Sequence, residues 1–168
     1  MDNNIIAAIK KRRSIRRYTD RNIPDNIIEQ ILDAGHWAPS GLNNQPWRFI
    51  VVQEQSTRHG LAELTRYASI IQGCAACIAV FYHVPSGYNR DRDLMAVGAC
   101  IQNMLLAAES LDLGAVWLGE ILNRADEACE LLGTDPGYEL CAVIALGFPG
   151  ESPEKDRKPL SSLVIKNF

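Results

Sequence analysis

Four arginines and a serine crowd into seven residues near the start of the chain, Arg12-Arg13-Ser14-Ile15-Arg16-Arg17-Tyr18. Guanidinium groups and a hydroxyl at that density can surround a phosphate with charge-assisted hydrogen bonds. A solvated basic face has the same composition. A second basic run, Lys155-Asp156-Arg157-Lys158-Pro159, lies near the other end. There a following proline can fix cations that complete an anion site, and a mobile charge run is the plainer alternative. The third cluster is Ala38-Pro39-Ser40-Gly41-Leu42-Asn43-Asn44-Gln45-Pro46-Trp47. It offers a hydroxyl, amides and free backbone groups between two prolines that limit its motion. Such a surface can hydrogen-bond the edge of a flat heterocycle, although an ordinary turn-rich connection looks similar.

Other chemistries find little support. No G-x-G-x-x-G or G-x-x-x-x-G-K-[ST] glycine loop is present to cradle a nucleotide phosphate, and no G-x-S-x-G. His36, His59 and His83 lie near no evident nucleophile. Cys74-Ala75-Ala76-Cys77 is a C-x-x-C, but it runs into an apolar strand pattern and does not open a helix that would lower a thiol pKa. A zinc site would want two more ligands, so the cysteines read as small buried residues and no metal is expected.

The elements that must carry these clusters follow from periodicity. The spacing predicts helices over residues 3–13, 25–37, 92–112 and 125–132, the last two stopped by Gly114 and Gly133. A further helix is expected from a Ser56 cap to Arg66. Strands are expected over 48–53, 77–82, 115–119 and 139–146, and loops over 38–46, 85–91 and 147–159. Few strands separated by helices suggest an α+β layer with a small central sheet, in a single domain over residues 1–168. The helix after Arg92 is apolar on most of its circumference (Ala96, Val97, Ala99, Ile101, Met104, Leu105, Ala107), and the end of the chain, Leu-Val-Ile-Lys-Asn-Phe, is apolar too. A subunit interface would cover both.

Composition bounds the class. With 168 residues, 47% hydrophobic and 22% charged, the chain suits a soluble globular protein. Seventeen Lys+Arg against twenty Asp+Glu give a net charge of −3, which argues against a nucleic-acid partner. The stretch 94–113 holds Gln102, Asn103, Glu109 and Ser110, so it reads as a buried helix and not a membrane span. No signal-peptide pattern and an odd number of cysteines, five, favour a reducing cytoplasm.

Taken in order, the clusters resemble the nitroreductase family: R-R-S-I-R-x-Y, then A-P-S-x-x-N-x-Q-P-W before the first strand, and K-x-R near the C-terminus. Between them, Gly114-Ala115-Val116-Trp117-Leu118-Gly119 is similar to the family's W-[IL]-G stretch. The resemblance implies a small, mainly antiparallel sheet flanked by helices, in a domain-swapped style of homodimer with FMN between the subunits. It implies that Arg12, Arg13 and Ser14 hold the FMN phosphate and ribityl chain, joined by Lys155 and Arg157. Arg16 would lie near the flavin pyrimidine. Pro39, Ser40, Gly41 and Asn43 would reach the flavin from the partner chain, and the Gly119 N–H, beside Glu120, would point at flavin N5. No counterpart of a flavin-contacting family amide is visible around residues 66–72, and no side chain is singled out as acid or base.

The implied activity is hydride transfer from NADH or NADPH to an electron-poor acceptor (nitroaromatic, quinone or activated alkene) by a ping-pong course. The alternatives are a specialised relative that fragments flavin, dehalogenates or oxidises azolines, a non-catalytic flavin carrier, and a basic-patch module with no cofactor.

Overall fold

The strand Ala76–His83 (β2) reads A-C-I-A-V-F-Y-H, without polar alternation, because both of its faces are buried. Ala76, Ile78, Val80 and Tyr82 enter one apolar core, while Cys77, Ala79 and Phe81 enter another. A computed structural model describes residues 4–154 and 156–166. In it β2 is flanked by Trp47–Val52 (β1) and Tyr138–Gly147 (β4), and Gly114–Leu118 (β3) closes the order β1-β2-β4-β3. All these pairings are antiparallel, with Trp47 opposite Tyr82, Ala76 opposite Leu146 and Gly114 opposite Gly147. Val80 pairs with Ala142 and Phe81 with Leu140, so Cys141 is the extra residue of a bulge. The chain is α+β, as the sequence implies.

Helices cover both faces. Asp25–His36 (α2) and Arg90–Ser110 (α5) pack on one, through Ile28, Ile31, Val97, Ile101 and Met104. Gly35 permits their close approach, since a Cβ there would sit 2.6 Å from Met104 Cγ. Gln55–Glu63 (α3), Ala68–Gly73 (α4) and Ala125–Leu132 (α6) cover the other face with Leu61, Ala62, Ile70, Ile71 and Ala128. The N-terminal Asn4–Lys11 (α1) lies outside both cores, tied to α5 by the Lys11–Glu109 ion pair at 2.9 Å. No described helix is long and apolar enough to cross a membrane.

Several expected boundaries are corrected. Ser56 is not a helix cap: Glu54 precedes α3, and Ser56 Oγ donates to its carboxylate instead. The helix ends at Glu63, short of Arg66, and α4 is an element the periodicity did not reveal. Helix α5 begins two residues before Arg92, where Asn89 Oδ1 accepts the Arg92 N–H at 3.2 Å. Gly114 does not stop it. Asp112, with φ +57°, takes the left-handed position, the Leu113 N–H reaches back to Ala108 O, and Gly114 opens β3. Gly133, with φ +66°, ends α6 as expected.

The two ends of the chain are laced together beside β3. Ile15 N–H donates to Ala115 O at 3.0 Å, Thr19 N–H to Phe148 O at 2.9 Å, and Gly150 N–H to Arg17 O at 2.9 Å. Tyr18 locks the lacing from below: its hydroxyl donates to Ile15 O at 2.6 Å and lies 3.2 Å from Ala145 O. Burial pushes that hydroxyl well above the ordinary tyrosine range, so it stays a neutral donor. Cys74 and Cys77 are buried with sulfurs 3.5 Å apart, and the Cys74 thiol donates to Ile71 O, which fits their reading as core residues.

Candidate functional site

Arg12 follows the last turn of α1, where its N–H still bonds Ala8 O at 2.9 Å. The side chain turns into a half-buried position, and its Nε is buried without a hydrogen-bond partner among the described residues. Burial first, and the Arg157 guanidinium second, lower its pKa; the Arg13 charge adds to this and Glu109 opposes it. Arg157 thus lies within electrostatic reach of Arg12, from the opposite end of the sequence. Two guanidiniums that repel one another, one with a buried N–H unsatisfied among the described residues, fit an anion that would neutralise both.

Arg13 faces elsewhere. Its Nη1 folds back on the carbonyls of Lys10, Lys11 and Arg12 at 2.6, 2.9 and 3.1 Å, capping α1. It borders a cavity of about 770 Å³ that also meets Lys11, Glu109, Asp112, Glu151 and Glu154, and Arg12 is not among the lining residues. Ser14 is half-buried and bridged to Ala115. Arg16 is fixed through its backbone, whose N–H donates to Glu151 Oε1 at 2.7 Å, while its exposed guanidinium donates, among the described residues, to Ser14 O at 3.3 Å. Its charge is thus available to a ligand. Lys155 lies outside the described residues.

The glycine at the end of β3 leaves room. Gly119 opens the short 3-10 turn Glu120–Arg124, and a Cβ built on it would meet nothing within 4 Å. The Glu120 carboxylate beside it accepts from Thr65 Oγ1 and from the Arg66 N–H at 3.1 Å, with Arg66 Nε 3.7 Å away. These contacts, the Thr65 bond foremost, hold its carboxyl below the usual carboxylate range. Arg66 opens the stretch where no family amide was found and Thr65 precedes it; together they brace the turn that carries Gly119.

The loop 38–46 is held at a different place. Ser40 Oγ accepts the Gln45 N–H at 3.0 Å, and Asn43 N–H donates to Ser40 O at 3.1 Å. Pro39 and Asn43 are exposed, while Ser40 and Gly41 are half-buried. Asn44 Nδ2 donates to Asp93 Oδ1 at 2.8 Å, in the first turn of α5. The arginine segment is tied instead through Glu109, near the far end of the same helix. Asp93 and Glu109 are sixteen residues apart, which at 1.5 Å per residue is about 24 Å along α5. One chain therefore presents the two halves of the candidate site at opposite ends of its longest helix.

Asn44, Asp93, Thr65, Arg66 and Glu151 are the contributors that sequence reasoning missed. The one available signal was Asp93 itself, an acid on the inner face of an otherwise apolar helix.

The chain matches the model of the Nitroreductase family over residues 9–71 and 65–148. It is 36% identical over 157 residues to a Methanothermobacter thermautotrophicus protein assigned as an NADH dehydrogenase/NAD(P)H nitroreductase, covering 89% of this chain and 80% of that one. The NADPH-flavin oxidoreductase of Vibrio harveyi is 32% identical over 178 residues, covering 98% and 74%. A crystal structure of a Desulfovibrio desulfuricans protein, assigned as a nitroreductase and solved in complex with FMN, superposes with a TM-score of 0.96 at 46% identity, covering 99% of this chain and 98% of that one. The laced chain ends, the antiparallel sheet and the paired arginines thus occur in a chain that belongs to the nitroreductase family.

Proposed function

We propose that the protein is an FMN-dependent NAD(P)H oxidoreductase that works as a homodimer. The observation that carries this reading is Arg12: a buried, unsatisfied guanidinium N–H pressed by the charge of Arg157. A phosphate there satisfies the orphan donor and turns a repulsion into a shared attraction, with hydrogen bonds to charged groups contributing about 1.5–3 kcal/mol each. Ser14 and Lys155 complete the phosphate site, with Arg13 at its margin. The second copy of the chain supplies Pro39, Ser40, Gly41 and Asn43. The separation of the two half-sites along α5 supports this, because two chains crossing with opposed helices bring unlike ends together.

When bound, FMN supplies a two-electron carrier that takes hydride at N5 from NADH or NADPH and passes it to an electron-poor acceptor such as a nitroaromatic, a quinone or an activated alkene. The chain's own contribution is position and charge. The Gly119 N–H would be offered to N5, and the open space at its Cα would leave room for reductant and acceptor in turn, the arrangement that ping-pong kinetics requires. Arg16 puts an uncommitted cation where negative charge gathers on reduction. Glu120 is held ionised by Thr65 and Arg66, so it braces the turn and is no proton donor near neutral pH.

The test is Arg157→Ala. The expected outcome is a folded protein, by circular dichroism and thermal melting, that purifies without yellow colour. Undiminished flavin content in the variant would refute the phosphate assignment. Stopped-flow mixing with NADH and NADPH then distinguishes an enzyme from a flavin carrier, which would be reduced slowly or not at all.

A further inference from the structure

Among residues 42–45 only Asn44 has ordinary backbone angles. Leu42, Asn43 and Gln45 have φ of +56°, +54° and +46°, a region that side chains with a Cβ rarely enter. Asn44, at φ −74° and ψ −16°, sits between them. Strain of this kind persists only where the surroundings over-determine the conformation, and the contacts of Asn44 show what does so. Its Nδ2 gives one proton to Asp93 Oδ1 at 2.8 Å and the other to Ser86 O at 3.1 Å. Its Oδ1 is buried with no partner, so the two donor bonds alone fix the amide.

Asp93 is fully buried, with 0% of its surface exposed. Its other oxygen, Oδ2, accepts from the Tyr88 N–H at 2.9 Å, the Asn89 N–H at 3.1 Å and Tyr82 Oη at 3.3 Å. Burial alone raises its pKa, and the bonds from Asn44, Asn89, Tyr88 and Tyr82 outweigh that, leaving it below the usual carboxylate range. Tyr88, held by the backbone in this way, lies against the same loop from the other side. A Cβ on Gly41 would come within 2.1 Å of its hydroxyl. One carboxylate thus grips the loop directly through Asn44 and indirectly through Tyr88.

We propose that Asp93 is a positioning residue for cofactor binding: through Asn44 it holds residues 39–43 in the strained shape that receives the flavin of a second chain. The inference rests on the reading of this loop as FMN-binding. Asp93 touches no cofactor itself. Its effect is to make the loop's conformation a property of the folded chain before FMN arrives, so that binding does not have to order it.

The experiment uses the full-length apoprotein and three variants, Asn44→Ala, Asn44→Asp and the reciprocal exchange Asn44→Asp/Asp93→Asn. Each is titrated with FMN by quenching of flavin fluorescence, and each apoprotein is melted. Asn44→Ala removes both donor bonds, the charge-assisted one to Asp93 and the one to Ser86 O; it is expected to lower apo Tm and, at temperatures well below that Tm, to weaken FMN binding about tenfold. Asn44→Asp sets two carboxylates side by side and weakens it further. The reciprocal exchange restores an amide–carboxylate pair and recovers most of the affinity, which a merely structural role would not produce. Wild-type affinity in both single variants overturns the proposal. So does a loss of affinity that follows apo Tm in every variant, with no recovery in the exchange. A wild-type protein that takes up no FMN overturns the reading of the site instead, and that result shows before any substitution is made.

Discussion

Two glycines near the proposed flavin face differ in what a methyl group would meet. At Gly41 it collides with the end of the Tyr88 ring, whereas at Gly119 it meets open space. The Tyr88 ring is partly exposed and can be pushed toward solvent, so Gly41→Ala is expected to spare apo Tm and weaken FMN binding. Gly119→Ala, at φ −99°, is expected to change stability by less than about 0.5 kcal/mol. Thermal melts and FMN titration on the pair check this, and an unaltered FMN affinity in Gly41→Ala sinks the role given to Tyr88 as a grip on the loop. Asp93 adds a pH dependence. Its folded pKa lies below the unfolded value of about 3.9. The stability it contributes is therefore complete above that value and is lost as pH falls through the folded pKa. Apo Tm is expected to be flat in this respect from pH 5 to 8 and to decline below about pH 4, with a shallower decline in Asp93→Asn.

At the scale of elements, the arginine segment depends on its fit against β3. A Cβ on Gly114 would sit 2.7 Å from Ile15 Cβ, and Ile15 is pinned by its bond to Ala115 O, so neither side can yield. Gly114→Ala is expected to cost about 1–3 kcal/mol and to lower flavin content. Urea denaturation and absorbance measure the two effects, and a variant as stable as wild type removes the argument. The same contrast explains what was legible beforehand. Strands β2 and β4 and helix α6 were readable because their signals are local: apolar runs, a 3.6-residue period, a glycine at the stop. Helix α4 was not, since it is six residues long, has no side-chain cap, and is made helical by Ile70 and Ile71 entering the core. At the site, the basic clusters were visible as composition. Asn44–Asp93 and Thr65–Glu120 join residues 49 and 55 positions apart, and no sequence pattern links them.

The whole molecule presents more apolar surface than a lone protomer needs. Ile5 and Ile9 on α1, Met95 on α5, and Leu163 and Ile165 in the tail are all exposed, Met95 at 75% and Ile165 fully. Their spread from α1 through α5 to the tail matches an extended interface between copies. The protein is expected to sediment as a dimer. Met95→Asp is expected to shift it toward monomer and make flavin affinity depend on protein concentration, which sedimentation velocity and FMN titration at two concentrations check. The lacing of the chain ends bears also on how the protein is made. Arg16 finds Glu151 across 135 residues, so residues 151–157 must leave the ribosome before Arg12 acquires its surroundings, and closing so long a loop is slow. Nascent chains stalled before Phe148 are expected to leave the arginine-rich stretch open to trypsin. Loading with cofactor then becomes a late event, open only to polypeptides that have been extended past Arg157.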